Sequence, residues 1–105
     1  MENNKQIWYK NEELAKEYYL GNWYELIKWN YTIQWWELVV IEVKTVNHID
    51  ELDNYITPKK IWFLQRTLEN YLQNIDESWI EDIRMDVVFV KKNQILEIYE
   101  NVTNR

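Results

Sequence analysis

Leu38-Val39-Val40-Ile41-Glu42-Val43-Lys44 is the stretch on which the fold turns. Its apolar, mostly β-branched start reads as a buried central strand. Side chains alternate along a strand, so Glu42 and Lys44 project from one face while Ile41, Val43 and Thr45 project from the other. Apolar packing gives no reason for a glutamate and a lysine to share one face at the end of such a strand. Metal-assisted phosphate chemistry does. A carboxylate ligates Mg2+, a hard cation that prefers oxygen. A lysine two residues on stabilises charge building on a phosphate or orients an attacking water. The competing explanation is a solvent-facing ion pair, since an E-x-K on a strand arises often by chance.

Outward from this strand, the N-terminal side carries a helix over Asn11–Leu20 with an apolar stripe of Leu14, Ala15, Tyr18 and Tyr19. Gly21 is placed to end it. Tyr24–Lys28 predicts a strand, which Asn30–Gln34 continues past a kink. On the C-terminal side, Asn47–Tyr55 is polar and loop-like. Thr57 is a good N-cap and Pro58 suits the first position of a second helix. Ile61, Leu64, Leu68, Tyr71 and Leu72 form its apolar face, with Ile75 at its end. Asp76–Asp82 is a polar connection or a short helix. Met85–Val90 predicts a second buried strand, Lys91-Lys92-Asn93-Gln94 a turn and Ile95–Tyr99 an edge strand. Strand, helical crossover and strand predict a parallel pair in a mixed sheet, hence an α/β fold.

The 105 residues fit one domain, 1–105, able to bury a core without staples. With no cysteine, disulfides and thiolate zinc sites are excluded. The apolar runs are far shorter than the roughly 20 residues that span a membrane. The polar Met1–Gln6 lacks a signal-peptide core, so the expectation is a cytoplasmic protein with no membrane partner. A net charge of -6 opposes strong general nucleic-acid binding, although Lys59, Lys60 and Arg66 form a local basic cluster. Most unusual is one glycine beside seven tryptophans. Several tryptophans stand where a turn wants glycine: Asn22-Trp23, Trp29-Asn30 and Gln34-Trp35-Trp36-Glu37. Two explanations compete: a tryptophan-rich core, or UGA codons that mean glycine in the source and are written here as tryptophan.

Several motifs together resemble the YraN-like family, uncharacterised proteins described as endonuclease-like, over about residues 7–103. Asn11-Glu12-Glu13-Leu14-Ala15 is similar to its opening Gly-Glu-x-x-Ala helix, and Trp23-Tyr24-Glu25-Leu26-Ile27 to its Gly-Tyr strand. Val40-Ile41-Glu42-Val43-Lys44-Thr45 is similar to its most recognisable motif. Ile56-Thr57-Pro58-Lys59-Lys60 resembles its Thr-Pro-(Arg/Lys)-Lys helix start, and Arg84-Met85-Asp86-Val87-Val88 its Arg-Phe-Asp-Val-Val strand. Trp8, Trp23 and the Trp35-Trp36 pair fall where that family tends to have glycine. The resemblance implies a restriction-endonuclease-like mixed sheet flanked by helices, in the PD-(D/E)xK nuclease class. By analogy it implies a divalent-metal phosphodiesterase site.

One departure from the family pattern matters. Trp36-Glu37-Leu38 matches the Gly-Glu-(Ile/Leu) start of a strand that in the family bears a metal-binding aspartate. Here the chain runs directly into Val39-Val40-Ile41-Glu42, so about ten residues, most of a strand, are missing. Glu37 is the available stand-in. It lies an odd number of residues before Glu42, so only a bulge or turn near Leu38 brings both to one ion. Glu12, from the first helix, is the remaining candidate ligand. Its alternative role is an exposed residue favouring the helix N-terminus.

The expected site is therefore Glu42, Lys44 and Glu37 as catalytic residues, Glu42, Glu37 and Glu12 around Mg2+, and Lys59, Lys60 and Arg66 on the DNA backbone. His48 reads as a solvated loop residue and Asp86 as a structural acid. Trp62, Phe63 and Tyr71 read as core at helical spacing. Two functional classes stand: a Mg-dependent endonuclease or resolvase-like DNA-acting enzyme, and a non-catalytic interaction module that dimerises through an exposed sheet edge. A chain with no physiological role in this form is a third.

Overall fold

The computed structural model describes residues 4–28, 31–47, 54–74 and 80–104. Its elements are helix α1 (Asn4–Gly21), strands β1 (Glu25–Lys28), β2 (Tyr31–Gln34) and β3 (Glu37–Thr45), helix α2 (Pro58–Asn74), strands β4 (Asp82–Lys91) and β5 (Gln94–Tyr99), and a 3-10 turn at Val102–Asn104. The sheet order is β1-β2-β3-β4-β5. β3 and β4 pair in parallel across the α2 crossover. All other neighbours are antiparallel. Tyr31–Gln34 therefore does not prolong β1 past a kink, as expected, but turns back to pair beside it. This is an α/β fold with a five-stranded mixed sheet flanked by helices, compatible with the restriction-endonuclease-like architecture.

The alternation of β3 and β4 builds two cores, one on each face of the sheet. Val40, Met85, Val87 and Phe89 meet Leu64 and Leu68 of α2, together with Val46 and Val102. Val39, Ile41, Val88 and Val90 meet Ala15 and Tyr19 of α1. Both strands are nearly continuous apolar runs because each is covered on both sides. Phe89 holds edge-to-face contacts with Tyr55 and Tyr99 at centroid distances of 5.6 and 5.2 Å.

Helix α2 starts as its sequence predicts. The Lys60 amide donates to Thr57 Oγ1 at 3.1 Å, and the Ile61 amide donates to the Thr57 carbonyl at 2.9 Å. Thr57→Ala is expected to cost about 1 kcal/mol, read as a lower urea midpoint; an unchanged midpoint would show that the cap is dispensable. Ile61, Leu64 and Leu68 face the sheet. Trp62 and Phe63, expected in the core, stand on the outer side, 58% and 59% exposed. The sheet-facing stripe is complete without them, so the helix turns them outward.

Helix α1 differs from its expected bounds at both ends. It begins at Asn4, and Gly21 is its last residue rather than its terminator. Its buried stripe is Asn11, Glu12, Ala15 and Tyr19, while Tyr18 is exposed. The apolar pattern missed the first half of this stripe because two polar residues occupy it.

Among the described residues, two hairpins close with two-residue turns. Gln34 and Glu37 pair around Trp35-Trp36, and Lys91 and Gln94 pair around Lys92-Asn93. Lys92 and Asn93 both have positive φ, 49° and 62°, as a type I′ turn requires. His48 and Ile75 lie outside the described residues, as do the side chains of Tyr71 and Leu72. The expectations for His48, for Tyr71 as core and for the end of α2 fall there too.

Candidate functional site

β3 runs unbroken from Glu37 to Thr45 and pairs residue by residue with β4. Glu42 and Lys44 therefore share a face with Val40, the face covered by α2. Glu42 Oε1 lies 3.9 Å from Lys60 Nζ in the first turn of α2. Tyr55 completes the group. Lys60 Nζ stands 4.6 Å and Lys44 Nζ 5.3 Å from the centroid of its ring. Burial, and then the neighbouring Glu42 charge and hydrogen bond, hold the Tyr55 phenol well above its ordinary range. Glu42 Oε2 is buried and has no hydrogen-bond partner. The site is thus one carboxylate, a phenol and two ammonium groups, with Lys59 exposed one residue away.

The other expected ligands are elsewhere. No bulge interrupts β3 near Leu38, so Glu37 projects from the opposite face. Arg84 Nη1 donates to Glu37 Oε1 at 3.0 Å there. Glu12 is buried rather than exposed, but it lies on α1, which packs on the same opposite face. Bringing Glu37 beside Glu42 would have needed an extra residue in the strand, and the register has none. Arg66 lies on α2 about 10 Å along the helix from Lys59 and Lys60. Its guanidinium stands over the Trp62 ring at 5.3 Å. Of the expected residues, the structure brings together Glu42, Lys44 and Lys60, with Lys59 adjacent.

Among the described residues, the site offers a divalent cation one carboxylate beside two ammonium groups, a poor donor set for it. Mg2+ takes an octahedron of oxygens, usually one or two carboxylates together with waters and substrate phosphates. Glu42 Oε2 is one orphaned acceptor, but its surroundings are positive. Among the described residues, no group of three His, Cys, Asp or Glu side chains is close enough to hold a metal ion.

The α1 face carries a second polar cluster that sequence reasoning saw only in part. Asp86 is fully buried. Its carboxylate accepts from Tyr19 Oη at 2.6 Å, from Arg84 Nε at 3.1 Å and Nη2 at 3.2 Å, and from the Asn101 amide at 2.9 Å. Arg84 also donates to Tyr24 Oη at 2.9 Å. Burial and the Asp86 charge raise the Tyr19 phenol far above its ordinary range. Asp86 thus has the structural role expected of it. The missed partners had one signal: Arg84 and Asp86 are two apart on a strand and so share a face. These bonds run between members of the cluster itself, which makes it a clamp between α1, β3, β4 and the β5 end rather than a ligand site.

The profile of the uncharacterised protein family UPF0102 matches residues 11–90 of the chain. That is most of its length, and the chain belongs to this family, the YraN-like proteins. No curated protein and no solved structure matched it. Among the described residues, no helix is long and apolar enough to cross a membrane.

Proposed function

We propose that this chain is a nuclease-fold protein that binds nucleic-acid phosphates at the start of α2 without cleaving them. The observation that carries this reading is the company Glu42 keeps. Its neighbours are Lys60, Lys44 and Tyr55, with no cluster of three acidic or other metal-ligating side chains among the described residues. Hydrolysis through a metal needs carboxylates gathered around it; phosphate binding needs cations.

The helix supports the same reading. The first turn of α2 contains no acidic residue and places two lysines against the positive end of the helix dipole. Such an arrangement weakens the helix in the free protein and is relieved by a bound anion. Lys44 extends the positive field onto β3. Lys44 and Lys60 are held over one aromatic ring, which limits their freedom before a phosphate arrives. With an overall charge of -6, the attraction is confined to this patch, so binding is weak and falls steeply with salt. Two or three phosphate contacts on a duplex correspond to a slope of about -2 to -3 in log affinity against log salt.

The test is fluorescence anisotropy with duplex, single-stranded and branched DNA across a salt series, with strand cleavage followed in Mg2+ and Mn2+. Lys44→Ala and Lys60→Ala are each expected to lower the salt slope by about 1. Glu42→Gln is expected to tighten binding, because it removes the negative charge beside these lysines. Cleavage that disappears in Glu42→Gln would overturn the non-hydrolytic reading. Binding that survives a Lys44→Ala, Lys60→Ala double variant unchanged would overturn the phosphate reading.

A second reading rests on β1. It is one of the two end strands of the sheet order, β5 being the other, and among the described strands nothing pairs with its outer edge. A second copy adding there would make a continuous sheet across a homodimer. Sedimentation that stays monomeric at every concentration is the outcome that removes it.

A further inference from the structure

Two of the turns built on left-handed backbone have a tryptophan at the deciding position, beside the Lys92-Asn93 turn and Asn101, where other residues adopt it. The first ends α1. The Tyr24 amide donates to the Tyr19 carbonyl at 3.1 Å and the Trp23 amide to the Leu20 carbonyl at 3.4 Å. These are the paired bonds of a Schellman motif, in which Trp23 is the first residue past the cap. The hydrophobic contact that accompanies the motif is present too, as the Tyr19 and Tyr24 rings meet at 5.2 Å. Trp23 has φ 71°, the left-handed conformation for which this position selects glycine.

The second is the β2–β3 hairpin. Its two-residue turn has φ 60° at Trp35 and no positive φ at Trp36. Positive φ at the first central residue alone is the pattern of a type II′ turn, where glycine is the standard occupant.

Neither indole compensates for its backbone by burial, although the ring of Trp35 meets that of its neighbour Trp36 at 6.3 Å. Trp23 is 88% exposed and Trp35 79% exposed. Tryptophan ordinarily buries most of its large ring. The chain's single glycine, meanwhile, sits at Gly21 within α1, where its φ is not positive and an added Cβ would meet nothing within 4 Å. Glycine is absent where the backbone asks for it and present where alanine would serve as well.

We infer that positions 23 and 35 are glycine in the protein as its own cell makes it, and that the codons written here as tryptophan are UGA read as glycine. UGA is a stop in the standard code and is reassigned in several others, whereas UGG is tryptophan throughout. One reassigned codon explains both turns, the scarcity of glycine and the excess of tryptophan together. It also removes the exposed indoles of Trp23 and Trp35 from consideration as a docking surface, since the native chain has none there.

The test has two arms. The first reads the codons at positions 23 and 35 and sequences the corresponding peptides by mass spectrometry from protein purified from the source cells. The expected result is UGA at both positions and glycine in both peptides, each lighter by the difference between an indolylmethyl group and hydrogen. UGG codons, or tryptophan in those peptides, overturn the inference. The second arm compares the recombinant tryptophan-bearing chain with Trp23→Gly, Trp35→Gly and Trp23→Ala by urea unfolding. Each glycine variant is expected to raise the folding equilibrium constant about fivefold, because the left-handed penalty of an L side chain is lifted. Trp23→Ala is expected to give no such gain. Glycine variants no more stable than the parent overturn the claim that these turns are built for glycine.

Discussion

Asp86→Ala is expected to remove about 3–5 kcal/mol of stability, the usual result of breaking a buried ion pair from one side. A domain of this kind is held by only about 5–15 kcal/mol in total, so the variant should be largely unfolded at mild urea concentrations. The reason lies in what is left behind. Asp86 is fully buried and satisfies Arg84, the Tyr19 phenol and the Asn101 amide at once. Truncation leaves the Arg84 guanidinium with Glu37 and Tyr24, and it takes the carboxylate acceptor away from the buried Tyr19 hydroxyl and from the Asn101 amide. Tyr19→Phe removes one charge-assisted bond and strands no positive charge, so its cost should be smaller, about 1.5–3 kcal/mol. Urea unfolding of the two variants beside the parent checks both. An Asp86→Ala protein within about 1 kcal/mol of the parent would show that the clamp does not hold α1 to the sheet.

Glu12→Gln is expected to change how stability depends on pH. Glu12 is 6% exposed on the sheet-facing side of α1. Burial raises its carboxyl from the ordinary 4.5 to about 7, with Lys16 opposing and Glu13 adding to the rise. A raised carboxyl pKa means that the folded state holds the proton more tightly than the unfolded chain. The associated stability is fully present below about 4.5 and is lost as pH climbs through about 7. Between pH 5 and pH 8 the parent should therefore lose about 1–3 kcal/mol through this group. Glutamine fills the same space without a charge, so the variant should match the parent near pH 5 and exceed it near pH 8. Urea midpoints across that range decide the matter. A parent whose midpoint does not fall between them would show that Glu12 is not held in a desolvating site.

The candidate site was legible for a local reason. Alternation along β3 fixes Glu42 and Lys44 to one face whatever surrounds the strand, and the Thr57-Pro58 start places Lys60 in the first turn of α2 by capping chemistry alone. Tyr55 was not legible, because its place beside Glu42 follows from the path of the chain between β3 and α2. Glu37 illustrates the opposite situation. Its offset from Glu42 was readable, but whether a bulge intervened depended on pairing with β2 and β4, and that pairing is continuous. Trp62 and Phe63 were assigned to the core because they are apolar and helical. Only the direction of α2's sheet-facing stripe shows that they point away.

What the amino-acid order determined by itself is set by near neighbours: the central strands, the capped helix α2, the buried β3 with Glu42 and Lys44 on one side, and turns whose chemistry calls for glycine; that β2 turns back beside β1 was not among them. The tertiary structure alone decided which charges meet. Coulombic and hydrogen-bonding partners such as Arg84 with Glu37, or Lys60 with Glu42, are far apart in the chain. They are joined only when two apolar faces pack and the sheet fixes its register.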